Sequence, residues 1–321
     1  MIQYIIRRVL QIIPTVLGIS LILFLIFALT PGDAISNNMD PHMSAERKAE
    51  LRSMYHLDEP KHVQYYYWMK GVVTEGTFGE SFYYKKPVAD VMKDFIPNSF
   101  LLAAVSLILG VLIAVPIGIV SATKQYSIFD KFFTVFALIG ISMPSFFFGL
   151  LLIKKVGVDW KLLPFSGMTT PGASYTGVKY IIDVIKHMSL PLIVLTLSSV
   201  AGWMRYTRSS MLEVIRQDYI RTARAKGLSE KVVIYKHALR NALIPVVTLL
   251  GFSLPGLFSG ATLTETIFNW PGIGPVQLSA VNNRDYYLLM GTNMLLAILT
   301  LIGNMLADVA YALVDPRIRL K

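Results

Sequence analysis

The chain has 321 residues, 54% of them apolar and only 16% charged, with a mean hydropathy of +0.54. That balance excludes an ordinary water-soluble domain and points to an all-α polytopic membrane protein. The absence of cysteine removes disulfides, thiolate nucleophiles and thiolate metal sites together, and the net charge of +10 reads as a topology signal with little behind a nucleic-acid surface.

Six apolar stretches reach the roughly 20 residues needed to cross a hydrocarbon core of about 30 Å. They are Val9–Thr30, Ser99–Ser121, Phe132–Ile153, Met188–Tyr206, Leu243–Phe268 and Tyr287–Val314. The first follows Arg7 and Arg8, as in a secretory signal, but its apolar run is too long and no small-residue cleavage site follows, so it reads as a retained span. Residues 1–30 thus form the N-terminus and first span, 31–98 a small extracytoplasmic insert, and 99–321 a five-helix core.

The insert, with ten acidic and eight basic residues between Pro31 and Pro97, predicts short helices and one or two short strands. Ser44–Tyr55 is amphipathic, and Tyr65-Tyr-Tyr-Trp68 reads as an interfacial belt or mini-core, or else as a contact surface for a soluble partner. Pro14, Pro116, Pro144, Pro191, Pro245 and Pro255 punctuate the spans, either as gating kinks or as tolerated packing defects. Gly256 and Gly260 have the spacing of close helix–helix approach. Asn269–Pro275 is a turn-rich loop. Glu265 just before it is expected at the water interface, or else in a capping or gate-stabilising role. Asp308, deeper in the last span, is expected to face a partner, a cavity or the membrane boundary.

Short loops rich in Lys and Arg stay in the cytoplasm. Arg7 and Arg8, Lys124 and Lys131, the tail Arg317, Arg319 and Lys321, and the stretch 205–240 all fall on one side if both termini are cytoplasmic. That stretch carries nine basic residues against Glu213, Asp218 and Glu230. Lys154, Lys155, Lys161, Lys179 and Lys186 oppose this arrangement, but the even span count and the larger loop outvote them.

Chemistry is scarce. The five histidines are scattered, no H-E-x-x-H or G-x-S-x-G pattern occurs, and no phosphate-binding G-x-x-x-x-G-K-[ST] loop exists. This disfavours an intramembrane enzyme, and the lack of an intramembrane acid–histidine chain disfavours a secondary carrier driven by an ion gradient. What remains is the loop 207–241. Arg208–Lys226 predicts a helix with Met211, Ile215 and Ile220 on its apolar side, Gly227 a left-handed end, and Ser229 the cap of a second helix to Arg240. Ala223 and Gly227, four apart, predict a small-residue side suited to a partner's groove. A pair of helices lying on lipid phosphates fits the same residues.

Tyr219-Ile-Arg-Thr-Ala-Arg-Ala-Lys-Gly227 with His237-Ala-Leu-Arg-Asn-Ala-Leu-Ile-Pro245 resembles the loop of binding-protein-dependent ABC importer permeases, of the oligopeptide/dipeptide class. Thr30-Pro-Gly-Asp33, Tyr206–Met211, Glu265–Gly274 and Asp315-Pro-Arg-Ile318 extend that resemblance along nearly the whole chain. It implies a type I ABC importer permease fold with six transmembrane helices in a prokaryotic cytoplasmic membrane. It also implies a second, non-identical permease subunit, two cytosolic ATPases that hold the ATP and magnesium, and an extracytoplasmic solute-binding protein. No cofactor and no catalytic residue are expected in this chain itself. By the same resemblance Arg221, Thr222, Ala223, Arg224, Lys226 and Gly227 are the ATPase-coupling residues, with Pro245, Pro255 and Glu265 as gating or path candidates. The wider family opens this loop with Glu-Ala-Ala; Arg221-Thr222-Ala223 stands there, so a glutamate-specific contact is not expected. Peptides are the implied cargo, with nickel, oligosaccharide and glutathione carriers as relatives of the same class.

Overall fold

A computed structural model of the chain describes residues 2–30 and 44–314, with side chains in the last helix as far as Met305. Asp33, Asp315–Ile318 and the side chain of Asp308 lie outside the described residues. Among the described residues, five helices are long and apolar enough to cross a membrane, and a sharply bent pair supplies a sixth crossing if counted as one. The first is α1, Ile2–Ala28. The insert follows as α2, Ala45–Met54, α3, Lys61–Thr74, and the antiparallel pair β1, Glu80–Ser81, and β2, Lys86–Pro87.

The centre of the bundle is a seam between α4, Val88–Thr123, and α7, Val178–Ile215, which pack along each other. Both run well beyond the predicted spans. The buried side of α4 carries Ser99, Ser106, Gly110, Ala114, Gly118 and Ser121, a stripe of small residues at helical spacing. Lipid tails give helices no hydrophobic reason to associate, so close van der Waals contact between small residues has to hold them. A Cβ on Gly110 would meet Ser199 at 3.0 Å, and one on Gly118 would meet Thr207 at 2.7 Å. Trp203 and Met204 of α7 fill the next layer with Val246, from later in the chain.

The predicted span Phe132–Ile153 is not one helix. It divides into α5, Ile128–Ser142, and α6, Ser145–Leu152, which meet at 99°. Pro144 has no N–H to continue the ladder and holds Met143 extended at φ −80°, ψ 122°. α6 then runs into a π-helical stretch, Ile153–Asp159. Pro14, Pro116, Pro191 and Pro245 sit inside unbroken helices.

α7 leads into an elbow that begins with α8, Asp218–Ala225, and continues through α9, Glu230–Val232, and a π-helical stretch, Val233–Ala238, into α10, Leu239–Ser253. Short helices α11, Gly256–Ser259, and α12, Thr262–Ile267, follow. The expected Gly256–Gly260 helix contact is not made within the chain. Gly260 breaks the helix at φ +74°, and nothing lies within 4 Å of a Cβ built on Gly256. α13, Ile273–Asn282, leads to α14, Tyr286–Val314, which packs beside α1.

The insert is fastened to α14 by Asp285, which is fully buried. Its carboxylate accepts from the Ser81 hydroxyl at 2.5 Å, the Tyr83 N–H at 3.1 Å and, as a helix cap, the Leu288 N–H at 3.3 Å. The aromatic run splits by helical phase. Tyr65 turns inward to Phe24 and bonds Ser20, and the buried Trp68 indole donates to the Phe78 carbonyl at 3.1 Å, while Tyr66 and Tyr67 are exposed. The mini-core reading therefore holds for Tyr65 and Trp68. In the same subdomain burial, and then the Glu80 carboxylate at 2.5 Å, push the Tyr55 phenol up to about 12.

Gly118→Val drives a branched side chain into Thr207 and the Met204 carbonyl. We expect it to destabilise the purified protein by about 1–3 kcal/mol, read as a lowered thermal midpoint in detergent, whereas Gly256→Val leaves the isolated chain unchanged.

Candidate functional site

The predicted helix Arg208–Lys226 is interrupted. α7 ends at Ile215, Gln217 is extended at ψ 151°, and α8 covers Asp218–Ala225. Gly227 then reverses the chain at φ +76°, a left-handed conformation that favours glycine, with its N–H on the Arg224 carbonyl at 2.9 Å. Ser229 takes the extended N-cap position of α9, but its hydroxyl makes no capping bond. The product is a short elbow between α7 and α10.

Its packing is fixed from inside. Met211, Ile220, Ala223, Val233, Ile234 and Ala238 form one core with Ile119 and Ala122 at the end of α4. Ala223 is therefore buried against its own chain, and Gly227 lies past the end of α8. The expected small-residue face for a partner does not exist as such: the small side of α8 is the inward one, because it lets the elbow close on α4. What faces outward is basic. Arg221, Thr222, Arg224, Lys226 and Gly227 are all exposed.

The outward side chains are not equivalent. Arg224 makes a bidentate pair with Glu230, at 3.0 and 2.7 Å, bridging the Gly227 corner. That contact holds the guanidinium above its ordinary value. Arg221 lies 3.5 Å from Asp218, and the Thr222 hydroxyl is spent on the Asp218 carbonyl at 3.0 Å. Lys226 has no ion-pair partner among the described residues.

Side-chain contacts brace the elbow and the helices at its two ends. Asn241 donates to the Tyr219 hydroxyl at 2.9 Å, and the Ser210 hydroxyl donates to the Ala242 carbonyl at 2.8 Å. Arg208 clasps Asp130 at 2.7 and 2.8 Å. Asp130 also accepts from the Tyr126 N–H at 3.0 Å, and Ser127 caps α5 through the Asp130 N–H at 3.2 Å. Asp130 and Arg208 escaped the sequence reading as a pair; the S-x-x-D run Ser127–Asp130 before an apolar stretch was the available signal for half of it.

The remaining candidates lie farther along the chain. Pro245 sits inside α10, close after Asn241 and Ala242. Pro255 caps α11, and its ring stands 2.7 Å from where a Cβ on Gly303 of α14 would be. Glu265 is not at a water interface: it is 1% exposed. Its two oxygens accept from the Ala261 N–H at 3.0 Å and the Gly274 N–H at 2.9 Å, so it is a structural cap for the glycine turn. The Asn269–Pro275 loop is likewise folded in. Trp270 is buried and donates to the Asn98 carbonyl at 3.0 Å, and Ser99 accepts from the Ile273 N–H at 2.8 Å. Among the described residues no group of His, Asp or Glu is arranged to hold a metal ion.

Residues 114–320 match the family described as binding-protein-dependent transport system inner membrane component. Residues 1–103 match the N-terminal membrane component of the same systems. The oligopeptide transport system permease protein AppB of Bacillus subtilis (strain 168) is 42% identical over 319 residues, covering 99% of both chains. The dipeptide transport system permease protein DppB of Escherichia coli (strain K12) is 40% identical over 342 residues, covering all of both. Among solved structures, an inward-facing MetNI methionine ABC transporter chain superposes with a TM-score of 0.56 at 17% identity, over 71% of this chain and 97% of that one. At that identity the likeness shows the fold, that of a type I importer permease.

Asp130→Ala leaves the Arg208 guanidinium without its carboxylate in a half-buried site. We expect a loss of about 3 kcal/mol, measured by thermal unfolding, with partial recovery in the doubly apolar Asp130→Ala/Arg208→Met variant.

Proposed function

This chain belongs to the binding-protein-dependent transport system inner membrane component family, and from that membership we propose that it is one of two permease subunits of an ATP-driven peptide importer. Peptide cargo rests on the relatives, which are named for oligopeptide and dipeptide transport. In this reading the second permease is a homologous, non-identical subunit. Two ATPases carry the ATP and magnesium, and a solute-binding protein delivers the peptide from outside. Both termini and the elbow are cytoplasmic, and the insert is extracytoplasmic.

The observation that carries the mechanism is the elbow's construction. It presents a basic outer surface on a corner that is rigid within itself and welded to α4, α7 and α10. Arg221 and Lys226 meet the ATPase, Arg224 keeps the corner closed through Glu230, and Gly227 provides the reversal. Closure of the ATPase pair on ATP displaces the elbow as one piece. Ser210 and Asn241 pass the displacement into α10, and Pro255 against Gly303 passes it to α14. Pro245 lies between these contacts, inside α10. Glu265 and its glycine turn keep the far end of the path in shape, with no part in the chemistry. This chain supplies motion and passage; hydrolysis occurs in its partners.

Gly227→Glu places a large acid at a left-handed position facing the ATPase. We expect peptide uptake and transport-stimulated ATP turnover in reconstituted complex to fall at least tenfold, with the four membrane and ATPase subunits still co-purifying. Normal uptake and turnover in an assembled complex removes the lever.

A further inference from the structure

The stretch Glu230–Ile267 is long and apolar enough to cross the membrane, yet it is not one helix. α10 stops at Ser253, α11 adds a single turn after Pro255, and Gly260 leaves the helix at φ +74°, ψ 152°. The interruption strands main-chain groups. The Phe258 N–H bonds the Pro255 carbonyl at 3.2 Å, the Ser259 hydroxyl the Gly256 carbonyl at 3.1 Å, and the Glu265 N–H the Ala261 carbonyl at 2.8 Å. Between these bonds the Phe258, Ser259 and Gly260 carbonyls and the Gly260 N–H have no hydrogen-bond partner among the described residues. All three residues keep part of their surface uncovered. Within a membrane crossing, unpaired backbone is not tolerated against hydrocarbon and occurs where it faces other protein or a water-filled cavity.

One side of the break is filled by this chain. Pro255 lies against Gly303, the Phe258 ring is 5.0 Å from that of Phe100, and a Cβ on Gly260 would meet the Gly274 nitrogen at 2.9 Å. The other side is open: Gly256 and Thr266 are exposed, and nothing lies within 4 Å of a Cβ built on Gly256. This uncovered side mixes glycine and threonine with Phe252 and Leu263, whereas every exposed position of α5 from Val135 to Ile141 is apolar. The α5 surface suits lipid tails, and the break suits water. We propose that the break is a station in the solute passage that engages the main chain of an extended peptide. The Phe258, Ser259 and Gly260 carbonyls accept from peptide N–H groups, and the Gly260 N–H donates to a peptide carbonyl. The bare Gly256 lets the peptide approach the backbone closely. These groups address what all peptides share and ignore their side chains. Each bond replaces one to water, so its net gain is small and the peptide is oriented without being retained. The inference rests on the reading of this chain as part of a peptide importer and adds to it the groups that meet the cargo.

The test uses the complex with which the chain purifies, in nanodiscs that leave both faces open. The chain has no cysteine, so a single introduced thiol can be followed by the intact mass of this chain alone. We expect Ser259→Cys to react with a charged, water-soluble methanethiosulfonate at least tenfold faster than Ile139→Cys on α5. Excess trialanine should slow the Ser259→Cys reaction severalfold, and trialanine methylated on its backbone nitrogens should leave it unchanged. A rate no faster than that of Ile139→Cys overturns the proposal, and so does equal protection, or none, by the two peptides. Uptake of trialanine by the unaltered complex in proteoliposomes tests the importer reading separately. Uptake together with an unprotected Ser259→Cys sinks the station alone, whereas no uptake sinks the cargo reading and the station with it. Should Ser259→Cys fail to assemble, Gly256→Cys, whose side chain enters open space, is read by the same criteria.

Discussion

A helix in lipid gains nothing by hiding apolar side chains from its surroundings, so this bundle depends on how closely α4 and α7 approach. The stripe from Ser99 through Gly110 and Gly118 to Ser121 makes that approach possible, and α7 answers it with Ser199, Met204 and Thr207. The rest is built outward from the seam. The elbow closes on the end of α4, α10 lays Val246 into the α4–α7 core, and Trp270 closes the opposite end over Leu102 and Met188. Interior polar groups are used sparingly and are mostly consumed. Glu265 and Asp285 are acidic side chains buried in the fold, and each is met by N–H or O–H donors that fix a turn.

The elbow shows the same economy in an aqueous setting. The corner is braced at three places: its own vertex, its root on α7 and its exit into α10. The Arg224–Glu230 pair braces the vertex, Arg208–Asp130 braces the root against the neighbouring loop, and Tyr219–Asn241 braces the exit. An exposed ion pair contributes little stability by itself. Spread across a corner already packed on Ile220 and Ala223, such pairs set direction more than energy.

The long apolar spans, the helical elbow and the glycine at its vertex were legible in the sequence because each rests on a local signal: hydrophobic length, charge bias and a helix-ending residue. The family likeness adds what those signals lack, an expectation of which classes of partner the chain assembles with. Other features depend on pairing between distant positions. The charged termini of α5 and α7 are 78 residues apart, so nothing local in Asp130 names Arg208. For Glu265 the capping alternative holds and the interface one does not, because the turn-rich loop after it folds back over the carboxyl group. The glycine spacing at 256 and 260 was read as a helix contact, while the working stripe on α4 mixes serine, alanine and glycine and does not form a two-glycine motif. Pro144 stood out in the sequence like the other prolines, but only the structure separates a proline that a helix absorbs from one that turns it through 99°.

Asp285, buried from solvent, joins a hairpin of the insert to the first turn of α14 through donors from both. A joint of that kind has no slack. Any displacement of the last helix would therefore carry the insert's hairpin with it, and load on the hairpin would reach the helix that flanks Pro255. The insert thus works less as a lid resting on the bundle than as the handle of its final rod.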